Sequence, residues 1–132
     1  MRDAGPAVQD DATIPDGAEL WRRIPRMHWV PDAATPGGHR VSSAAFDDPE
    51  MSVVIADECT GGEATLLRGH DGFGIARFTA AAVRALGWGV VRAPDDQLPG
   101  HAHVLGRKTQ GACRRLARQC RVAPEPRLAA QS

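Results

Sequence analysis

The chain has 132 residues, a length that supports one folded domain and leaves no room for a second hydrophobic core. Its 16 Lys and Arg residues balance 16 Asp and Glu residues, so the formal net charge is zero. The chain as a whole therefore offers no long-range attraction for nucleic acid or for an anionic membrane, and we expect neither partner. Acidic residues are concentrated in residues 1–20 and basic residues in residues 107–127, so the two ends are expected to attract each other or to bind separate partners.

The amino-terminal residues 1–18 are expected to form a flexible leader. Their Pro, Gly and Asp content cannot bury enough apolar surface to offset the entropy cost of ordering them. They contain no apolar stretch of signal-peptide length and no transmembrane segment follows, so we expect a cytoplasmic protein. Cys59, Cys113 and Cys120 are odd in number and form no CxxC motif, which is typical of reduced thiols in that compartment.

Short apolar stretches separated by turn residues predict the strands of the domain. The predicted strands are 19–24, 40–46, 51–56, 72–78, 88–91 and 101–105. The first strand ends before Pro25, because the residue that precedes a proline avoids helical geometry and the proline itself lacks an amide donor. The stretch 51–56 is an apolar run, which predicts a strand that is covered on both faces.

Capping residues predict where the helices begin and end. Thr60 and Glu63 have the spacing of a capping box, which would open a short helix that ends at Gly69. Thr79 is expected to cap a second, alanine-rich helix that ends at Gly87, and a third helix is expected over 109–121.

The order of these elements predicts the fold class. Adjacent strands are joined by short turns as well as by helices, so the sheet is expected to be mixed and mostly antiparallel. We therefore predict a single small α+β domain over residues 19–122, with two or three helices and a flexible tail over 123–132.

The last helix is predicted to have an apolar face and a basic face. The apolar face consists of Cys113, Leu116, Ala117 and Cys120, and the basic face consists of Arg114, Arg118 and Arg121. Both cysteines are expected to face the core, which disfavours a redox or nucleophilic role. The arginines are expected to be solvated or to contact the phosphates or carboxylates of a partner. Trp21, Trp29 and Trp88 are expected in the core or at its edge.

Two histidines on one strand are the first candidate for chemistry. His101 and His103 alternate along the strand, so both side chains leave the same face of the sheet. A metal site needs three or four ligands, and no ligand pair in the chain has the spacing of a known metal motif, so no metal is expected. A neutral imidazole is instead suited to act as an acid or base near neutral pH.

The segment Gly106-Arg107-Lys108-Thr109 is a candidate anion site, because exposed amides at a helix start favour negative charge. It is not a phosphate-binding loop of the P-loop type, because the earlier glycine of that motif is replaced by His101 and no GKT or GKS occurs. We therefore predict Arg107 and Lys108 as ligand-binding residues rather than as part of a nucleotide triphosphatase.

Three segments in the first half of the chain carry a resemblance to a known family. These segments are LWRRI at 20–24, PGGHRVSS at 36–43 and SVVIA at 52–56. Their order resembles the amino-terminal half of RES-type toxin domains, which are similar to ADP-ribosyltransferases in fold and consume NAD. The resemblance covers about forty residues, and the rest of the chain resembles small bacterial proteins rather than a particular enzyme family.

The resemblance implies a set of site residues and a cofactor. It implies NAD as the cofactor, an arginine opposite the pyrophosphate, and a serine beside the dinucleotide. It places Arg23 or Arg22 and Ser42 or Ser43 at the dinucleotide. Together with the strand histidine and the basic helix start, this gives Arg23, Ser42 and His101 as candidate catalytic residues, and Arg22, Arg40, Ser43, Arg107 and Lys108 as candidate cofactor-binding residues. The chain contains no tyrosine, although such domains usually carry an aromatic hydroxyl near the nicotinamide.

Two hypotheses of different class follow. In the first, the protein is a small NAD-binding or NAD-consuming enzyme of the toxin type. In the second, it is a binding module whose basic carboxy-terminal helix docks an acidic protein or a nucleic acid, as one half of a two-protein system. Arg23, Ser42 and His101 distinguish them, because an enzyme requires these residues in one concave pocket and a binding module does not.

Overall fold

An antiparallel sheet of six strands forms the centre of the protein. The computed structural model describes residues 8–35 and 38–122. The strands are β1 (Glu19–Ile24), β2 (Trp29–Pro31), β3 (His39–Val41), β4 (Glu50–Ile55), β5 (Gly74–Thr79), β6 (Gly89–Arg92), β7 (His101–Leu105) and β8 (Arg121–Val122). The helices are α1 (Gly62–Leu67), α2 (Ala80–Ala85) and α3 (Gln110–Gln119). The large sheet has the order β6-β7-β4-β1-β5-β8, and β2 and β3 form a separate hairpin.

The architecture confirms the predicted fold class. The described residues form a small α+β domain with three α-helices and antiparallel strand pairing throughout the large sheet. Alternation along each strand sends successive side chains to opposite faces, and both faces bury apolar residues. In β1, Leu20 and Ile24 belong to the larger apolar cluster, whereas Trp21 belongs to a smaller cluster on the other face. The predicted strand that is buried on both faces, β4, is confirmed.

The larger cluster lies under α2 and α3, and the smaller one lies under α1. Val83 of α2 and Leu116 of α3 are fully buried in the larger cluster, and Leu66 of α1 is 2% exposed in the smaller one. Cys113 is buried as predicted, and Cys120 packs against the same cluster while remaining partly exposed. The three tryptophans are also buried as predicted.

The prediction of a flexible leader is wrong for residues 8–18. Ile14 is completely buried in the larger cluster, and the amide of Asp11 donates to the carbonyl of Val90 on β6 at 2.8 Å. Acidic side chains complete the attachment, because Arg84 of α2 and Arg92 of β6 form ion pairs with Asp10, Asp11 and Asp16. The acidic end of the chain is thus paired with arginines of the sheet and of α2. Residues 1–7 lie outside the described residues. Residues 123–132, which are the predicted flexible tail, also lie outside them.

Two element boundaries differ from the prediction for local reasons. The predicted strand 40–46 ends at Val41, because the Ser42 hydroxyl accepts from the amide of Ala44 at 3.2 Å and starts a 3₁₀ turn. The predicted capping box does not form, since Gly61 rather than Thr60 precedes the first residue of α1. The helix predicted over 109–121 is α3, which Thr109 caps by accepting from the amide of Ala112.

Candidate active site

A gap between two central strands creates the candidate site. Strands β1 and β4 pair at Leu20 with Ile55 and at Trp21 with Val54, and past Trp21 the side chain of Arg22 lies between them. Its Nε donates to the carbonyl of Ala45 at 2.8 Å, and its Nη1 donates to the carbonyl of Ser52 at 2.7 Å. Arg22 therefore bridges strands whose direct backbone pairing has ended.

The Arg22 guanidinium is a partly buried cation. Burial lowers its pKa, the negative charge of Asp48 opposes that change, and the positive charge of neighbouring Arg23 adds to it. None of the ion pairs formed among the described residues includes Arg22. Its charge is stabilised mainly by backbone carbonyl dipoles, which compensate a buried charge less fully than a carboxylate does.

Arg23 leaves β1 on the opposite face, beside Trp21. Its Nη1 donates to the carbonyl of Leu66 at the end of α1, at 3.1 Å. Burial lowers the pKa of Arg23 and the charge of Asp95 opposes this change, and Arg23 also takes part in no ion pair among the described residues. Two neighbouring cations of β1 thus lie close to the same gap, and no carboxylate within residues 8–35 and 38–122 is bonded to either of them.

A pocket of about 280 Å³ opens at this gap. Strands β1 and β4 form its floor, and α1 and the turns around residues 70 and 98 form its walls. Its lining residues are Trp21, Arg22, Arg23, Pro25, Ser52, Val53, Leu66, His70, Phe73 and Leu98. The His70 ring packs edge-on against Phe73, and its Nδ1 lies 2.8 Å from the carbonyl of Arg68. The lining therefore combines apolar residues with two arginines, a serine and a histidine.

Ser52 in this pocket is hydrogen-bonded to His101 on the neighbouring strand. The Ser52 Oγ lies 2.7 Å from His101 Nε2, and His101 Nδ1 lies 2.7 Å from the carbonyl oxygen of Ala93. A carbonyl oxygen only accepts, so Nδ1 carries the proton and Nε2 of the neutral ring accepts from the serine hydroxyl. The result is a serine, a histidine and a carbonyl in a directed chain of hydrogen bonds, with the serine at the pocket.

The strand register and a glycine turn hold this chain in place. In the pairing of β4 with β7, Ser52 lies opposite His103 and Val54 lies opposite His101, so the serine and His101 are diagonal neighbours on one face. Gly100 has a positive φ of 80°, and a Cβ on it would lie 2.9 Å from the carbonyl oxygen of Ile55. Only glycine allows the turn before β7 to approach β4 this closely.

The predicted catalytic set is divided between two places. Arg23 lines the pocket and His101 bonds to the pocket serine, whereas Ser42 lines a separate groove of about 800 Å³ between the β2–β3 hairpin and α3. The hydroxyl of Ser42 accepts from a backbone amide as a turn cap. Arg23, Ser42 and His101 therefore do not line one pocket, an outcome that by the criterion set above favours the binding module over the enzyme with Ser42. The enzyme hypothesis remains only with Ser52 in place of Ser42, because Ser52 lines the pocket beside Arg23 and is hydrogen-bonded to His101.

The predicted cofactor-binding residues are also divided. Arg22 lines the pocket, whereas Arg40 and Ser43 line the groove beside α3, where Arg40 pairs with Asp32 at 3.3 Å. The groove is completed by Val30, Thr35, Val41, Ser42, Arg114, Ala117, Arg118 and Cys120. The resemblance therefore implied residues that belong to two surfaces.

Lys108 has a structural role that competes with anion binding. Its Nζ donates to the carbonyls of Pro49, Val104 and Gly106 at 3.3, 2.9 and 3.0 Å, and it lies 4.9 Å from the centre of the Trp88 ring. Burial lowers the pKa of this ammonium group. Because an ammonium group has three donors and all are used, the predicted anion site is not supported at Lys108. The Arg107 side chain is exposed beside it.

Ser52 was missed because it lies inside an apolar run. Its signal in the sequence is a single hydroxyl among Met51, Val53, Val54 and Ile55, on a strand that is otherwise suited to the core.

Within the described ranges, no three His, Cys, Asp or Glu side chains are grouped closely enough to hold a metal ion. No helix in the same ranges is long and apolar enough to cross a membrane. Comparison of the chain with protein-family models, with curated proteins and with solved structures gave no match.

Proposed function

We propose that this protein is a small enzyme that binds a phosphate-bearing molecule in the pocket between β1, β4 and α1. The observation that carries the proposal is the pair Arg22 and Arg23, two partly buried cations that line one pocket without an ion pair among the described residues. An anionic ligand would supply the missing counter-charge, and guanidinium groups match the geometry of phosphate oxygens.

Burial strengthens such an interaction. The same burial that lowers the pKa of both guanidinium groups reduces the dielectric screening of a bound anion. The arginines are also held in place before ligand arrives, since each donates to a backbone carbonyl. A preorganised cation loses less side-chain entropy on binding than a mobile surface cation does.

NAD is the first ligand to test, on the resemblance to RES-type domains. Its pyrophosphate would lie opposite Arg22 and Arg23. The pocket volume of about 280 Å³ is near the lower end of the range typical of ligand sites, roughly 300–1,000 Å³. A dinucleotide would therefore place only one part of its length inside. A cytoplasmic location remains part of the proposal, and three cysteines without disulfides would suit its reducing environment.

The experiment is a titration with inorganic pyrophosphate and with NAD, followed by calorimetry, together with mass spectrometry of nicotinamide release. Arg23→Gln is expected to weaken pyrophosphate binding by about tenfold or more, because a charge-assisted contact is lost. The matched control is Arg115→Gln, an exposed arginine of α3 outside the pocket, which is expected to bind normally. Equal loss in both variants, or no binding of pyrophosphate by the unaltered protein, would overturn the proposal.

The groove beside α3 supports a second candidate function, the docking of an acidic protein partner. Arg114 and Arg118 are exposed and take part in no ion pair among the described residues, and they flank a groove with an apolar floor of Val41 and Ala117. A partner of this kind would make the chain one half of a two-protein system. Charge complementarity at such a surface would speed association and make it sensitive to salt.

Binding of poly-glutamate tests the second candidate. The double variant Arg114→Gln and Arg118→Gln is expected to reduce binding, whereas Arg68→Gln combined with Arg115→Gln, which removes the same charge elsewhere on the surface, is expected to retain it. Equal losses would show that net charge alone drives association, and would remove the groove from consideration.

A further inference from the structure

Ser52 occupies a position where an apolar residue would satisfy the fold. Its neighbours along β4 are Met51, Val53 and Val54, each no more than 2% exposed. A valine there would need no hydrogen-bond partner, whereas a partly buried hydroxyl needs one. The hydroxyl is instead bonded to His101, a ring whose second nitrogen is fixed by the carbonyl of Ala93.

This arrangement has the features that activate a hydroxyl nucleophile. The serine donates to a neutral imidazole nitrogen at 2.7 Å, so the base is already within reach of the proton it would remove. The carbonyl of Ala93 holds the ring in the tautomer that accepts from serine, which is the orienting role of the third group in a nucleophile–base pair. Ser52 also lines the pocket and is not fully buried, as a residue that reacts with a ligand must be.

We propose that Ser52 is a nucleophile that attacks phosphorus in a phosphate ester or anhydride, with His101 as its general base. The substrate class rests on the proposed function, because the phosphate would be held by Arg22 and Arg23 in the same pocket. Positive groups around the phosphoryl oxygens stabilise the charge that these oxygens carry in the transition state.

The reaction proceeds in two balanced steps. In the first, the bond from Ser52 Oγ to phosphorus forms as the bond from phosphorus to the leaving oxygen breaks. The serine proton passes to His101 Nε2 and then to the leaving oxygen. In the second step, a water oxygen bonds to the phosphorus of the phosphoserine as the bond from Ser52 Oγ to phosphorus breaks. The water proton passes through His101 to Ser52 Oγ, and the phosphate leaves with the serine hydroxyl restored.

A fluorophosphonate ester is the probe, because it reacts with an activated serine by attack at phosphorus. The Ser52 Oγ–phosphorus bond forms, fluoride leaves and the proton goes to His101. We expect one adduct, which peptide mass spectrometry places on Ser52, and none on folded Ser52→Ala protein. His101→Gln is expected to slow labelling by about 100-fold or more, whereas His103→Gln, the matched change of the neighbouring histidine, is expected to alter it less than about threefold.

Labelling of folded protein elsewhere than Ser52, no labelling, or an equal rate in His101→Gln would overturn this proposal. Circular dichroism of each variant establishes that it is folded, and Ser52→Cys provides a second variant that keeps a nucleophile of similar size. The probe is uncharged at phosphorus, so it can label Ser52 without an anion-binding site, although the arginines could still speed its reaction through the phosphoryl oxygen. Labelling without pyrophosphate binding would therefore refute only the proposed function, and pyrophosphate binding without labelling would refute only the nucleophile.

Discussion

At the scale of single residues, Arg22 lines the candidate site and is also expected to stabilise the folded protein. From β1 it donates to the carbonyl of Ser52 on β4 and to the carbonyl of Ala45 in the 3₁₀ turn before that strand. Arg22→Met would keep much of the aliphatic volume and leave both carbonyls without this donor. We expect the free energy of unfolding to fall by about 1–3 kcal/mol, the cost of leaving buried polar groups unpaired.

Urea denaturation measures this loss. Arg115→Met on the exposed side of α3 is the control, and its effect is expected to stay within about 0.5 kcal/mol, as for ordinary surface substitutions. An Arg22→Met variant as stable as the control would mean that water replaces the guanidinium in the gap, and that Arg22 is not needed to hold β4 beside β1.

His28 is expected to make the free energy of unfolding depend on pH. Burial lowers its pKa, the positive charge of Arg22 lowers it further, and its buried Nδ1 has no hydrogen-bond partner among the described residues. The unfolded state therefore takes up a proton near the ordinary value of 6.5, whereas the folded state resists it. Stability is thus retained above pH 6.5 and falls as the pH is lowered towards the folded-state pKa.

Denaturation curves on both sides of pH 6.5 test this dependence. His28→Gln cannot titrate, so its stability is expected to fall less over the same interval than that of the unaltered protein. If the unaltered protein and His28→Gln lose stability in parallel, acid destabilisation arises from other groups.

The two serines show how far residue chemistry can be inferred from sequence. Ser42 follows an arginine-bearing strand and was assigned to the site, but its hydroxyl is used by the adjacent turn. Ser52 acquires its role through His101, which is 49 residues away, and only strand register brings the two together. The type of residue was predictable, whereas the particular serine depended on a pairing that no local pattern specifies.

At the scale of elements, the segment of residues 8–18 is a structural part of the domain. Its Pro, Gly and Asp content predicts disorder, but the arginines that bind it lie on α2 and β6, far along the chain. Local composition cannot reveal such partners. The strands and helices with strong apolar patterns were predicted, whereas the short strands β2 and β8 depend on their neighbours for pairing and were not.

Ile14→Ala tests whether this segment supports the domain. Ile14 is fully buried in the larger cluster, so its truncation is expected to lower the free energy of unfolding by about 2–5 kcal/mol through lost burial and a cavity. Val8→Ala is the control in the same segment, since Val8 is 40% exposed. Thermal and urea denaturation measure both. Equal, small effects would mean that the segment detaches without cost to the fold.

At the scale of the whole molecule, the central sheet contributes residues to both apolar clusters, one on each of its faces. The α+β class followed from the order of elements, but the position of β1 between β4 and β5 did not. The neighbours of a strand depend on how its side chains pack with those of the other strands in the assembled sheet. Local sequence does not specify this packing. The position of β1 is also what creates the site, because the pocket opens where β1 and β4 stop pairing.

The shared sheet predicts that both layers unfold together. Strands β1, β4 and β5 contribute to each apolar cluster, so neither cluster can lose its strands while the other keeps them. Trp21 reports on the smaller cluster and Trp88 on the larger one. Variants that retain only one of these tryptophans, with phenylalanine at the other positions, are expected to show a fluorescence midpoint in urea that coincides with their own circular dichroism midpoint. A separate, earlier transition at Trp21 would instead mean that the layer over the candidate site opens while the sheet and the larger cluster remain folded. Because Ser52, Arg23 and α1 all face that layer, such opening would expose the site without unfolding the domain.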